Sequence, residues 1–90
     1  MSAPNRIGIA ATAPKGDALT VYDRANVKLY MRLLDAETSG ATLAEIAQVL
    51  FDIDAEAEPD RARDVVETHL ARARWMTEIG YRLLLAERED

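Results

Sequence analysis

Residues 42–60, TLAEIAQVLFDIDAEAEPD, hold a helix start, a complete amphipathic helix and a run of carboxylates. Thr42-Leu43-Ala44-Glu45 is a capping-box pattern, in which the hydroxyl and the carboxylate reciprocally satisfy the first orphan amide hydrogens of a helix. Leu43, Ile46, Ala47, Leu50 and Phe51 then recur at i, i+3, i+4, i+7 and i+8. That spacing predicts a short helix over 43–51 with one buried stripe.

Working outward, Pro59 suits the first turn of a following helix, where its missing N–H costs nothing. Ala62, Val65, Val66, His69, Leu70, Ala73 and Met76 supply a buried face down to Gly80, after which YRLLLAER reads as a final helical turn or two. Upstream, Asp23 is a candidate N-cap, and Val27, Tyr30, Met31 and Leu34 fall on one face of a helix expected to stop near Gly40. Residues 1–19 are expected to be a flexible tail, although RIGIAAT suits a short strand and ALTVYD an extended segment. The expected fold is all-α: a small three- to four-helix domain over residues 20–90. Its expected core is Val27, Tyr30, Met31, Leu34, Leu43, Ile46, Ala47, Leu50, Phe51, Val66, Leu70 and Ala73.

Ninety residues suit one domain with a modest core. No stretch approaches the length of a membrane span, and the N-terminus lacks the pattern of a secretion signal. The absence of cysteine removes disulfides, thiolate metal sites and thiol nucleophiles, and a cytoplasmic location is expected. The net charge is −5, unusual for a protein that binds DNA through phosphate neutralisation. Its distribution is more telling: residues 42–60 carry six acids (Glu45, Asp52, Asp54, Glu56, Glu58 and Asp60) and no base.

Acids at alternate positions from Asp52 to Asp60 raise the question of calcium. An EF-hand loop needs glycine at position 6 and a bidentate glutamate at position 12, where this chain has Ala57 and Arg63. Glu58 and Asp60 are better read as acids at the positive end of a helix, with Asp52 and Asp54 solvated in a connector. His69, the only histidine, lies on a buried stripe without a partner at metal-ligand spacing and reads as a packed residue. Neither Ser2 nor Ser39 has a neighbouring base, and there is no glycine-rich phosphate loop. No catalysis, no cofactor and no metal are expected.

Trp75, Tyr81, Arg72, Arg74 and Arg82 form the candidate partner-binding set, since aromatics and arginine dominate binding hot spots. The plainer reading is that the aromatics cover core edges and the arginines pair along the helix, Glu67 with Arg63 and Glu78 with Arg74. Arg61, Arg63, Arg72 and Arg74 also suggest a DNA recognition helix. Such helices read bases near their N-terminal end, and here that end is flanked by Glu56, Glu58 and Asp60.

Gly40, Ala41, Glu45, Ile46, Ala47, Leu50 and Phe51, followed by Arg72, Ala73, Arg74, Gly80, Tyr81, Arg82, Leu84 and Leu85, carry a resemblance. The pattern, over roughly residues 24–85, resembles domain-of-unknown-function family 2285, seen in regulators of proteobacterial integrative and conjugative elements. The resemblance implies a helix-turn-helix variant with a lengthened turn. It further implies two uses: activators that bind DNA through a basic surface of this fold, and acidic antiactivators of the QseM type that bind the activator. Asp52 stands where the family has glycine, Ala44 where it has arginine, and the connector is acidic. These departures point away from DNA binding.

The expected function is therefore an antiactivator, holding a transcriptional activator that carries a related domain and repressing excision and conjugative transfer genes of a mobile element. Its length is expected to leave no room for a second, activating domain. Glu45, Asp52, Asp54, Glu56, Glu58 and Asp60 would keep it off DNA. Two alternatives stand beside it. One is a DNA-binding helix-turn-helix regulator, and the other is a DNA mimic acting through the acidic loop.

Overall fold

Two reciprocal caps of the same kind start two of the helices. At Thr42 the hydroxyl accepts from the Glu45 N–H at 3.1 Å, while the Glu45 carboxylate accepts from the Thr42 N–H at 2.8 Å. Helix α3 (Leu43–Phe51) begins there, as the sequence predicts. Thr20 and Asp23 make the second box and open the short helix α1 (Val21–Ala25). Asp23 is thus the third residue of α1 and not an N-cap, and ALTVYD is a cap and first turn instead of an extended segment. In a box, the cap is the hydroxyl residue three positions before the acid.

The computed structural model describes residues 9–88, and no strand forms among them. Most of RIGIAAT that is described, residues 9–12, is irregular, and the rest of that segment lies outside the described residues. Asn26 breaks the helical path (φ −119°, ψ 25°) and α2 follows over Val27–Thr38. It ends in a Schellman-type turn with Gly40 at φ 86°, where the Gly40 and Ala41 amides bond to Glu37 and Ala36 carbonyls. After α3 comes a seven-residue connector, then α4 (Pro59–Trp75) with Pro59 in its first turn. A π-helical turn at Met76–Gly80 joins α4 to α5 (Tyr81–Arg88) without a break, so Gly80 does not end the helical run. From residue 59 to 88 the run is about 45 Å long at 1.5 Å per residue, close to the 46 Å longest dimension of the molecule.

Helix α4 packs against both α2 and α3, which also touch each other, giving a three-helix core. Leu33, Ile46, Ala47, Ala62, Val65, Val66 and Ala73 fill it at 4 % exposure or less. Val27, Leu34, Leu43, Leu50 and Phe51 pack around its edge, half-buried. Met31 is a correction: expected in the core, it is 64 % exposed. The inner face of α2 is centred on Tyr30 and Leu33, because the Tyr30 hydroxyl is drawn inward to the buried Asp23 carboxylate at 2.7 Å. Ile53 is a core residue that the helical pattern does not contain. Asp52 takes the left-handed conformation (φ 57°, ψ 42°), the Ile53 amide folds back onto the Ala47 carbonyl, and the Ile53 side chain drops into the core at 2 % exposure. The result is a helix-turn-helix arrangement, α3–connector–α4, braced by α2.

Candidate interaction surface

The arginines of α4 decide which surfaces are available for binding. Arg72 is 3 % exposed and belongs to the interior. Its Nε and one terminal nitrogen donate to the two Asp23 oxygens at 2.9 and 2.6 Å, and the remaining bonds go to the Gly16 and Ala18 carbonyls. The guanidinium also lies 3.8 Å over the Trp75 ring. Burial by itself would raise the Asp23 pKa. Bonds from Arg72, Tyr30 and Thr20 outweigh burial and hold it down at about 2. The same pair raises the Arg72 pKa, and burial plus the bond to Asp23 pushes the Tyr30 phenol up. This cluster ties the segment before α1 to α4. It is a correction to the expected binding set: Arg72 cannot reach a partner.

Beside it, His69 is fully buried. Its Nδ1 sits 2.7 Å from the Val65 carbonyl and so donates, which leaves Nε2 to accept from the Tyr22 hydroxyl at 2.6 Å. The Tyr22 oxygen in turn accepts the Ala10 N–H at 3.1 Å. Burial lowers the His69 pKa and raises that of Tyr22. The Ala13 amide donates to the Thr68 hydroxyl at 3.0 Å and the Ala13 methyl is buried, so residues 10–18 lie along α4.

The exposed α4 arginines are all taken. Arg61 pairs with Glu58 at 3.0 Å, Arg63 with Asp60 at 2.7 Å, and Arg74 with Glu37 of α2. The expected pairs Glu67–Arg63 and Glu78–Arg74 do not form. A carboxylate one turn back, or on the neighbouring helix, reaches the guanidinium instead. The six acids of 42–60 are all exposed. Glu45 is used in the α3 cap, Asp54 accepts the Glu56 N–H at 2.9 Å, and Glu58 and Asp60 face their arginines. Among the described residues no group of three or more His, Cys, Asp or Glu is placed to hold a metal ion.

The other members of the expected binding set divide. Trp75 is half-buried under Arg72, with its Nε1 buried and unpartnered. Tyr81 is 56 % exposed, and Arg82 beside it is exposed too. Among the described residues, Lys28 and Arg32 on α2 and Arg82 on α5 make no ion pair, in contrast to the arginines of α4. An apolar groove lies between α2 and the far end of α4, lined by Val27, Tyr30, Met31, Leu34, Ala73, Met76, Thr77, Tyr81 and Leu84. Tyr81 and Arg82 of the expected set lie at the surface, and Met31, expected in the interior, lines the groove with Tyr81.

A family model described as "T6SS, Transcription factor, DNA binding domain" matches residues 5–86. The chain belongs to this RovC DNA-binding-domain family. Membership places it among transcription-factor domains and agrees with its helix-turn-helix architecture. In a RovC-type domain built as this one is, α4 is the second helix of the motif, the position of a recognition helix. Here its first turns present Glu58–Arg61 and Asp60–Arg63 pairs, not free cations. A comparison with curated proteins gives no match. Among the described residues no helix is long and apolar enough to cross a membrane.

Proposed function

We propose that this protein regulates transcription as an antiactivator, by binding another regulator instead of duplex DNA. The observation that carries the reading is the state of the α4 arginines. One is locked inside the fold and three are neutralised by carboxylates, next to a connector that adds Asp52, Asp54 and Glu56. Binding through phosphates gains its free energy from cations that release counterions. Cations already paired must first give up their carboxylates, and those carboxylates would then repel the phosphates. An uncovered apolar groove is, by contrast, the kind of surface a protein partner uses. The proposed target is an activator of excision and transfer genes in a mobile element that carries a related domain. That target rests on the sequence resemblance to QseM-type antiactivators.

The family description favours a second reading, a DNA-binding regulator in which α4 enters the major groove. It requires Arg61, Arg63 and Arg74 to exchange Glu58, Asp60 and Glu37 for phosphates. Two measurements separate the readings. The first is fluorescence anisotropy of a labelled duplex between 0.02 and 0.2 M salt. The second is a nuclease-treated pull-down of tagged protein from its host. The antiactivator reading expects no DNA binding at low salt and a transcriptional regulator that survives nuclease. Affinity that falls steeply with salt, and loss of all bound protein with the nucleic acid, would establish the DNA reading.

A further inference from the structure

We propose that residues 10–18 form an acid-opened clasp on α4: protonation of His69 releases the Ala10–Pro14 end of the segment, while the Gly16–Ala18 end stays anchored on Arg72. The device is separate from the choice between protein and DNA as target. It governs whether the side of α4 that bears Thr68, Ala71 and Trp75 is covered.

The segment forms neither helix nor strand, and bonds to side chains hold it in place. At one end the Ala10 amide donates to the Tyr22 oxygen at 3.1 Å and the Ala13 amide to the Thr68 hydroxyl at 3.0 Å. At the other end Arg72 donates to the Gly16 and Ala18 carbonyls at 2.8 and 2.7 Å. Between the two ends Gly16 takes φ 101°, a conformation that glycine adopts readily, and open space surrounds its α-carbon. The chain can therefore turn there. A cleft of about 320 Å³ already separates residues 13–17 from Thr68, Ala71 and Trp75, so the segment lies over that side of α4 without filling it.

The two ends answer to different groups. His69 donates from Nδ1 to the Val65 carbonyl, and its Nε2 accepts the Tyr22 hydroxyl at 2.6 Å. A proton added to Nε2 sets an N–H against that O–H, and the hydroxyl has to turn away. No carboxylate faces the ring to compensate the new charge. Helix α1 presents the Tyr22 ring at 5.6 Å and α3 the Phe51 ring at 5.1 Å, while Asp23 and Arg72 beside it are paired with each other. Asp64 and Glu67 on α4, Asp52 after Phe51, and Lys15 and Asp17 of the segment are exposed to solvent. A buried imidazolium in these surroundings must reach water. Phe51 packs on the core, whereas the Tyr22 side chain bonds to His69 and Ala10 alone. Tyr22 is thus the cover that moves, and as it swings out Ala10 loses its acceptor. Ala13 is then left on the Thr68 hydroxyl, which is itself committed to the Asp64 carbonyl at 2.6 Å. Burial favours the neutral ring, so the clasp is closed at neutral pH and opens as pH falls through the lowered His69 pKa. Asp23, held down at about 2, keeps Arg72 paired over that range, and the Gly16–Ala18 anchor stays.

The test is NMR of the full chain titrated from pH 7 to about pH 4, with amide exchange corrected for its intrinsic pH dependence. The Ala10 and Ala13 amides should lose protection at least tenfold, with the midpoint of the His69 ring signals. The Ile46 and Val66 amides and the Arg72 Nε–H signal should not change. His69→Phe should remove the pH response of both alanine amides. Tyr22→Phe, which retains the ring, should leave Ala10 unprotected already at neutral pH, and it decides the matter if the His69 variant does not fold. Ala10 and Ala13 amides that stay protected after the His69 ring has titrated would overturn the proposal. Loss of their protection together with that of Ile46 and Val66 would do so too, since acid would then unfold the whole domain. The same pH response in His69→Phe would also overturn it.

Discussion

Replacing Arg72 by methionine separates an interior arginine from a binding arginine. The methionine keeps much of the stem's volume but leaves the Asp23 carboxylate buried with only Tyr30 and Thr20 as donors. Removing one member of a buried pair costs about 3–5 kcal/mol, since the remaining charge is uncompensated. A 90-residue domain has only about 5–13 kcal/mol in total. For a domain of this size each kcal/mol moves the thermal midpoint by roughly 4–8 °C, so a drop of at least about 12 °C is expected at pH 7. The pH dependence adds a second check. In the wild type Asp23 is held from 3.8 down to about 2, so its contribution, about 2 kcal/mol, is present above pH 4 and lost as pH falls towards 2. In Arg72→Met burial acts with less opposition and raises the Asp23 pKa, so protonation relieves the buried charge. The gap between wild type and variant should narrow between pH 7 and pH 3.5. Replacing Asp23 by asparagine as well should recover part of the loss at pH 7. Circular dichroism melts measure all of this. A variant that melts within about 4 °C of wild type at pH 7, yet loses its partner, would refute the reasoning and return Arg72 to the surface.

Gly80→Ala adds a Cβ 2.5 Å from Met76 Sδ and 2.7 Å from the Trp75 ring, which Arg72 holds from above. It should destabilise by about 1–3 kcal/mol despite alanine's better helix propensity, with a change in tryptophan fluorescence; a gain in denaturant midpoint would contradict it. Because burial depresses the His69 pKa, the fold favours neutral imidazole. Stability should hold above pH 6.5 and decline as pH falls through the folded pKa, and His69→Phe should flatten that slope in urea titrations between pH 7 and 5. Asp52→Gly relieves a left-handed residue at φ 57° and removes one carboxylate. It should stabilise by about 0.5–1 kcal/mol, read from the urea midpoint, where a loss would show that the bond Gln48 Nε2 donates to Asp52 Oδ1 at 3.4 Å outweighs the backbone strain.

The parts of the fold legible in the sequence are those fixed by local rules. Thr42-x-x-Glu45, Pro59 and the 3.6-residue spacing of Ile46, Ala47, Val65, Val66 and Ala73 act over one or two turns, and each appears where that spacing puts it. Thr20-x-x-Asp23 has the same form and is equally readable, although aspartate is itself a common cap residue and so marks a second candidate start. Arg72 was not legible. Its partner lies 49 residues away, and nothing near it marks an arginine for the interior. Met31 failed for a related reason: periodicity gives the width of an apolar stripe but not which edge faces the core. Leu33 took the interior place because Tyr30 had to reach Asp23.

Those two misreadings are linked, and together they shift where binding is to be sought. Asp23, Tyr30 and Arg72 form one buried cluster. By turning α2 so that Tyr30 points inward, that cluster leaves Met31 outside, and by taking Arg72 it removes a cation from α4. The polar interior thus takes one arginine away from the helix-turn-helix face and leaves an apolar groove open at the opposite end of α4. The sequence resemblance draws attention to α3, the connector and α4, and the family match covers them along with nearly all of the chain. In this chain the first turns of α4 are closed by Glu58–Arg61 and Asp60–Arg63 pairs. On the proposed antiactivator reading, a member of a DNA-binding family keeps its fold and changes its target when carboxylates one turn back pair with the arginines of the second helix.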